Sequence, residues 1–167
     1  MCGFLLWVTN TSEGVDKKIF TDALNNANHR GPDNTSILFS DFNYFPETRS
    51  NYDDFSNIGL GHNRLALVDL TNSSNQPYID SKTGQAILFN GEYYNFRSDF
   101  PNLKSDTQAI FRLIQQEGVS GLKKVRGMFS LIFFNFHAED KNIILARDPF
   151  GKKPLFFFKD NKNFIAS

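Results

Sequence analysis

The sequence predicts an α+β fold in which sheets pack face to face and helices lie outside them. Two observations lead to this expectation. Apolar, β-rich runs recur along the whole chain and are separated by short polar turns. Amphipathic helical periodicity, in contrast, occurs in only two long segments. A sheet with one apolar face is stabilised when another sheet or a helix covers that face, which gives a layered architecture.

In the first half of the chain, one helix is expected among several strands. Segment 16–28 places its apolar residues on one face, and it is followed by the helix stop signals Gly31 and Pro32. Segment 41–57 is polar and aromatic without a period, which is typical of a surface insertion or a hairpin tip. Strands are expected at residues 4–9, 35–39 and 85–89, with one or two more over residues 58–68.

The second half predicts one further helix and a series of strands. Segment 106–117 has helical periodicity, with Ser105 as its N-cap and Asp106 in its first turn. Strands are expected at residues 128–136, 142–147 and 155–158, with a last one beginning at Asn163.

Composition limits the classes of function. A chain of 167 residues fits one domain, and 18 basic residues balance 18 acidic ones, so neither a nucleic acid nor an anionic membrane is an expected partner. No apolar run approaches the roughly 20 residues of a membrane span, and the N-terminus lacks a secretory pattern. We therefore expect a cytoplasmic protein. The single cysteine excludes an intrachain disulfide.

That cysteine, Cys2, directly follows Met1 and precedes Gly3. Removal of Met1 would give Cys2 both a thiol and a free α-amine, whose pKa of about 7.7–8.0 lets it act as a base at neutral pH. In N-terminal nucleophiles, the α-amine removes the proton from the side chain of the same residue in this way. The alternative is that Cys2 is a small buried apolar side chain.

Asn90 and Gly91 follow an apolar strand, so we expect them at the end of that strand. The Asn90 side-chain amide and the Gly91 backbone N–H could donate to a developing oxyanion. The alternative is a hairpin turn, because Asn-Gly is a common turn dipeptide.

Arg64 and Asp106 suit the two charges of a free amino acid. A guanidinium pairs with a carboxylate through two hydrogen bonds, and a carboxylate at a helix start could bind an ammonium. Either residue could instead be a structural ion-pair partner or a cap. The histidines His29, His62 and His137 do not cluster with other ligands at metal spacing, so no metal site is expected.

Taken in order, these residues belong to a set of motifs that resembles the glutaminase domain of glutamine-hydrolysing asparagine synthetases. This class II glutamine amidotransferase domain has an N-terminal nucleophile fold, and the resemblance runs from Cys2 to Ser167. The motifs are Cys2, HRGPD (29–33), RLALVDL (64–70), QPY (76–78), NGEYYN (90–95), Ser105-Asp106, RGMF (126–129) and RDPFGKKPL (147–155).

The resemblance implies a four-layer αββα sandwich of two mostly antiparallel sheets, spanning residues 1–167 as one glutaminase domain. It implies that Cys2 is the nucleophile, that its own amine is the base, and that Asn90 and Gly91 form the oxyanion hole. The glutamine-binding residues that it implies are Arg64, Leu65, Ala66, Leu67, Val68, Asn90, Gly91, Glu92 and Asp106.

The resemblance also bears on cofactors and partners. No cofactor is expected in this domain, because ATP and Mg belong to a synthetase domain whose phosphate-binding motif this sequence lacks. The expected partners are L-glutamine and a synthetase domain or subunit, which would dock on an exposed sheet edge or apolar patch. The full-length family enzyme can also be a homodimer.

Three questions stay open at this stage. The ammonia acceptor could be aspartate or another carboxylate. The chain could also be a docking or regulatory domain that keeps the fold without the chemistry. A third reading is a different N-terminal nucleophile amidohydrolase, although Arg64 and Asp106 favour an amino-acid head group.

Overall fold

The computed structural model describes residues 1–41, 56–135 and 142–167. These residues form nine strands and three α-helices, with short 3-10 turns at Asn28–Arg30, Asn72–Ser74 and Gly118–Lys124. The strands are β1 (Gly3–Thr9), β2 (Asn34–Ser40), β3 (Ile58–Arg64), β4 (Tyr78–Asp80), β5 (Gln85–Tyr93), β6 (Gly127–Asn135), β7 (Asn142–Arg147), β8 (Phe157–Lys159) and β9 (Asn163–Ala166). The helices are α1 (Lys17–Asn26), α2 (Phe96–Asp99) and α3 (Asp106–Glu117).

The strands form two sheets. The larger sheet has the order β2-β3-β1-β9-β8, and the smaller has the order β4-β5-β6-β7. Every described strand pair is antiparallel. The α+β class predicted from the sequence is therefore confirmed.

Two apolar layers hold the sheets and helices together. The layer between the sheets consists of inward-facing side chains from both, among them Leu6, Leu60, Leu88 and Ile132, all fully buried. A second layer lies between the smaller sheet and α3, where Ile87, Leu131 and Ile110 are fully buried. Each such side chain contributes roughly 1.5–3 kcal/mol through its removal from water.

Helix α1 covers the outer face of the larger sheet. Its buried residues Phe20 and Leu24 rest on Gly59 and Gly61 of β3, where an added Cβ would lie 2.8 Å from the Phe20 ring and 2.7 Å from a Leu24 methyl. The glycines thus let the helix approach the strand closely. The resulting order of helix, sheet, sheet and helix confirms the four-layer sandwich.

Both long helices begin at the residues that the sequence indicated. The Asp16 carboxylate accepts a hydrogen bond from the Ile19 N–H at 2.9 Å, and the Ser105 hydroxyl accepts one from the Gln108 N–H at 3.2 Å. These contacts satisfy N–H groups that a helix start leaves without a partner. No helix in residues 1–41, 56–135 and 142–167 has the length and apolar content that crossing a bilayer requires.

The strand bounds differ from the predicted ones in two places near the candidate site. One or two strands were expected over residues 58–68, but the one strand found there ends at Arg64, because the following residues form a loop. The strand expected to end at residue 89 continues to Tyr93, because β6 pairs with it throughout. Strand β4, helix α2 and the Gly118–Lys124 turn had no prediction, and most of segment 41–57 lies outside the described residues.

Strand β8, an outer strand of the larger sheet, and the residues before it expose several phenylalanines. Phe150, Phe156, Phe157 and Phe158 are 85%, 72%, 67% and 55% exposed. We call these four residues the phenylalanine patch. An exposed sheet edge or apolar patch was expected where a synthetase domain would dock, and that docking role stays a prediction; exposed large apolar side chains often mark interaction sites.

Candidate functional site

The predicted site residues come together at one end of the sandwich. The start of β1, the end of β3, the last part of β5 and the start of α3 meet there around one cleft. The cleft is lined by the predicted residues Cys2, Arg64, Leu65, Leu67, Val68, Asn90, Gly91, Glu92 and Asp106. It is also lined by residues that were not predicted, among them Asp69, Ser74, Gln76, Thr107 and Lys153.

Cys2 lies against the loop that follows β3. The pairing of Gly3 with Asn63 brings the residue before β1 next to the residues after β3. The Cys2 Sγ accepts a hydrogen bond from the Leu65 N–H at 3.4 Å and lies 3.8 Å from the Leu65 carbonyl oxygen, to which it can donate. The Arg30 Nε donates to the Cys2 carbonyl oxygen at 3.3 Å. The nucleophile candidate is therefore held in place by the backbone of Leu65 and the side chain of Arg30.

The surroundings of Cys2 keep its thiol protonated. Burial raises the pKa of the thiol, and the negative charge of Asp106 acts in the same direction. The Leu65 N–H, the positive chain terminus and Arg64 lower the pKa, but they do not overcome the burial. Because the thiolate is the nucleophilic form, this thiol needs a base that removes its proton during the reaction.

Asn90 and Gly91 lie inside strand β5, not in a turn, so the hairpin alternative is wrong and so is their placement at the strand end. A Cβ on Gly91 would overlap the Met128 carbonyl oxygen and lie 2.7 Å from the Phe129 Cα. Glycine is thus required by the close approach of β6. The Asn90 side chain is 4% exposed, and it makes no hydrogen bond with the residues that the structure describes.

The Gly91 N–H points away from β6. Asp148 accepts from the Phe129 N–H through its side chain and donates its own N–H to the Phe129 carbonyl oxygen, so both backbone groups of Phe129 face β7. Phe129 is the pairing partner of Gly91, and backbone groups alternate between the two edges of a strand. The Gly91 N–H therefore lies on the other edge of β5, beside the cleft.

Arg64 holds the loop after β3. Its Nη1 donates to the Thr71 carbonyl oxygen at 2.8 Å and to the Asn75 Oδ1 at 2.7 Å, and its Nη2 donates to the Asp69 carbonyl oxygen. A guanidinium has five N–H donors. The Nε and one Nη2 hydrogen thus remain for a ligand. Arg64 was predicted inside a strand, whereas it is the last residue of β3.

Leu65, Leu67 and Val68 line the cleft, but Ala66 does not. The Ala66 N–H donates to an Asp33 carboxylate oxygen at 2.8 Å, which fixes the loop to the segment before β2. Among the predicted binding residues, Ala66 is therefore the one that the structure places outside the cleft.

Asp106 supplies the negative charge of the cleft. It is 7% exposed, and its carboxylate accepts from the Thr107 N–H at 2.9 Å and from the Tyr93 N–H at 3.4 Å. Burial raises its pKa to about 6, against the effect of these hydrogen bonds, and the nearby charge of Glu92 raises it further. With Glu92 and Asp69, Asp106 gives the cleft three carboxylates, which favour a cationic group on the ligand.

Several functional positions were not singled out by sequence reasoning. Gln76 and Lys153 are 4% and 6% exposed and line the cleft, and both lie in motifs of the family pattern. No group of three or more potential metal ligands lies together within residues 1–41, 56–135 and 142–167.

The fold and the cleft define a class of protein. A thiol near the chain start shares one cleft with Asn90 and Gly91 and with charged residues of both signs, in an αββα sandwich. This combination is typical of the N-terminal nucleophile hydrolase fold.

Comparison with known proteins agrees with this class. The family model described as "Glutamine amidotransferase domain" matches residues 1–167. A putative asparagine synthetase [glutamine-hydrolyzing] from Methanocaldococcus jannaschii is 32% identical over 90% of this chain and 32% of its own length. The amidase chry2 from Gibberella zeae is 28% identical over 100% of this chain and 26% of its own length.

The fold is also similar to that of a solved structure. The glutamine phosphoribosylpyrophosphate amidotransferase from B. subtilis matches with a TM-score of 0.72 and 19% identity, over 99% of this chain and 41% of that one. The chain belongs to the glutamine amidotransferase domain family, and its resemblance to the glutaminase domain of asparagine synthetases is confirmed. It spans no more than about a third of the length of these curated relatives.

Proposed function

We propose that this domain hydrolyses L-glutamine to glutamate and ammonia through a thioester on Cys2, and that it supplies the ammonia to an ATP-dependent synthetase domain. The observation that carries the proposal is the cleft itself. Its lining brings together the Cys2 thiol, Asn90 and Gly91 as amide donors, and the charged residues Arg64 and Asp106. The family to which the chain belongs supports the same chemistry.

In the first half of the reaction, the α-amine of Cys2, freed by removal of Met1, takes the thiol proton. The sulfur attacks the side-chain amide carbon of glutamine, and the negative charge that develops on the amide oxygen is stabilised by Asn90 and the Gly91 N–H. Such donors each contribute roughly 3–4 kcal/mol when they are aimed at the oxyanion. The carbon–nitrogen bond then breaks, and the leaving nitrogen takes the proton from the Cys2 ammonium and departs as ammonia.

In the second half, water attacks the thioester carbon and gives its proton to the same α-amine. The oxyanion again forms beside Asn90 and Gly91. When the carbon–sulfur bond breaks, glutamate leaves and the sulfur recovers its proton. One base therefore serves both halves, which explains why the cleft needs no histidine near Cys2.

The charged residues of the cleft would select glutamine from other amides. Asp106 and Glu92 attract the α-ammonium, while the remaining donors of Arg64 and the backbone of Leu65, Leu67 and Val68 receive the α-carboxylate. A buried charge that stays unpaired is costly, so an amide without the amino-acid head group would bind poorly.

The synthetase partner is proposed from the relatives and from the surface. The M. jannaschii relative is named as a glutamine-hydrolysing asparagine synthetase, and this chain covers only 32% of it. The phenylalanine patch offers an apolar surface on which a synthetase domain can dock. ATP and Mg would bind to that domain, whose acceptor is aspartate or another carboxylate.

The proposal is tested by glutamate release from L-glutamine by protein whose mass shows that Met1 is gone. Wild-type protein should release glutamate and the Cys2→Ala variant should not. Glutaramate, which lacks the α-ammonium, should be hydrolysed at least about 30-fold less efficiently, because Asp106 and Glu92 then have no cation to bind. Hydrolysis by Cys2→Ala at the wild-type rate would refute the mechanism.

A further inference from the structure

Gln76 lies in the cleft but has no part in the proposed reaction. It belongs to the QPY motif, between the Asn72–Ser74 turn and strand β4, and it is 4% exposed. A side-chain amide with so little exposure must have its donor and acceptor groups satisfied by the protein. Its partners therefore indicate what it does.

Both groups of the Gln76 amide bind the backbone of one residue of β5. The Gln76 Oε1 accepts from the Phe89 N–H at 2.6 Å, and its Nε2 donates to the Phe89 carbonyl oxygen at 3.0 Å. Strand β4 pairs with β5 only between Tyr78 and Asp80, and Ile87 is the last residue of β5 that it reaches. Gln76 thus takes the place of a neighbouring strand at Phe89.

We propose that Gln76 is a positioning residue that aims the oxyanion donors of Asn90 and Gly91 at the substrate. Phe89 directly precedes Asn90 and lies two residues before Gly91. Because alternate residues of a strand share an edge, the N–H groups of Phe89, Gly91 and Tyr93 all point toward the cleft side of β5. Gln76 binds the first of these N–H groups, and Asp106 binds the third at 3.4 Å.

The Gly91 N–H therefore lies between two anchored neighbours. The anchors are themselves connected, since the Gln76 Nε2 also lies 3.4 Å from the Thr107 hydroxyl, and Thr107 follows Asp106 at the start of α3. A second donor, the His62 Nε2, reaches the Phe89 carbonyl oxygen at 3.3 Å. The network fixes the donor edge of β5 relative to the helix that carries the head-group carboxylate.

Loss of the Gln76 amide would leave the Phe89 N–H without a partner and would loosen this edge. Oxyanion donors act in the transition state, so a displaced donor lowers kcat more than it changes KM. The inference rests on the proposed glutamine hydrolysis. Because both groups of the Gln76 amide bind Phe89 and act on the donors only through it, displacement should cost less than removal of a donor, roughly 10- to 100-fold in kcat.

The kinetic test compares Gln76→Ala with Gln115→Ala in Met1-free protein. Gln115 also donates to three side-chain oxygens, at 2.8, 3.1 and 3.4 Å, but on α3 away from the cleft. Gln76→Ala should lower kcat at least 10-fold with KM within about threefold, while Gln115→Ala should change neither more than twofold. If Gln76→Ala does not fold, Gln76→Glu replaces it in the test. This variant keeps the shape of the side chain but places an acceptor opposite the Phe89 carbonyl oxygen, so it should show a similar loss of kcat.

A kcat of a folded Gln76 variant within twofold of wild type, or a loss no larger than that of Gln115→Ala, would overturn the inference. A wild-type protein without turnover would instead refute the proposed hydrolysis. The positioning role is then decided by the amide ¹H–¹⁵N signals of Asn90 and Gly91. These signals should shift, and their hydrogens should exchange faster with water, in Gln76→Ala but not in Gln115→Ala. The same signals and exchange rates in both variants would exclude the role.

Discussion

The buried carboxylate of Asp106 should reduce stability while it serves binding. Replacement by asparagine removes the charge and keeps one oxygen to accept the Thr107 N–H. Burial raises the pKa of Asp106 from 3.8 to about 6, and this difference corresponds to roughly 3 kcal/mol of free energy lost when the folded protein holds the carboxylate ionised. In the variant the asparagine NH₂ faces the Tyr93 N–H, and the loss of this hydrogen bond reduces the gain in stability by about 1 kcal/mol.

Asp106→Asn should therefore be about 2 kcal/mol more stable than wild type at pH 7. The sign of the pH dependence follows from the raised pKa. Between roughly pH 4 and 6 the folded wild type binds the Asp106 proton more tightly than the unfolded chain, so wild-type stability falls as pH rises through this window. The advantage of the variant should disappear as pH falls from 6 to 4.

Urea unfolding at pH 4, 5, 6 and 7 measures the difference in unfolding free energy between Asp106→Asn and wild type, and its dependence on pH. Asp80→Asn is the matched control, because hydrogen bonds from Gln115 and Lys82 lower the pKa of Asp80, and its replacement should cost stability at neutral pH. The reasoning would be refuted if Asp106→Asn were less stable than wild type at pH 7. It would also be refuted if the difference in unfolding free energy between the two proteins were the same at all four pH values. The same variant should raise KM for glutamine about 30-fold, because a buried pairing with the ammonium is lost.

Three further substitutions follow from the geometry. In steady-state assays, Asn90→Ala should lower kcat for glutamine about 100-fold with little change in KM, since it removes a donor used in the transition state. An equal change in kcat and KM would contradict that role. Gly91→Ala should lose roughly 2–3 kcal/mol in urea unfolding, because its Cβ overlaps the Met128 carbonyl oxygen, and wild-type stability would contradict the described β5–β6 approach. Asp148→Asn should lose roughly 3 kcal/mol at pH 7 and less at pH 3, because four backbone N–H groups hold the pKa of this buried carboxyl low despite its burial; a loss independent of pH would contradict this.

The features that sequence predicted best are those that depend on neighbours along the chain. Ser105 caps its helix as expected, because a cap needs only the N–H three residues later. The end of β3 at Arg64 was not predicted, because it depends on where the Arg64 guanidinium finds acceptors in the next loop.

The site was predicted in its residue types but not in its local structure. Asn90 and Gly91 have the composition of a turn, and they lie in a strand because β6, which begins some 35 residues later, pairs with them. Gln76 belongs to a motif of the family pattern, but no local signal indicated its contact with Phe89. Its amide substitutes for a strand that ends too early, which only the assembled sheet reveals.

The measurement that tests the central claim most directly is glutamate release by two forms of the same chain, one without Met1 and one that retains it. The account requires the free α-amine of Cys2 as the base, because burial keeps the thiol protonated and the residues around it offer no other base within hydrogen-bonding distance in residues 1–41, 56–135 and 142–167. It predicts release from the processed form and at least about a 1000-fold lower rate from the Met1-retaining form. Equal rates would contradict the account and assign the proton transfer to another group.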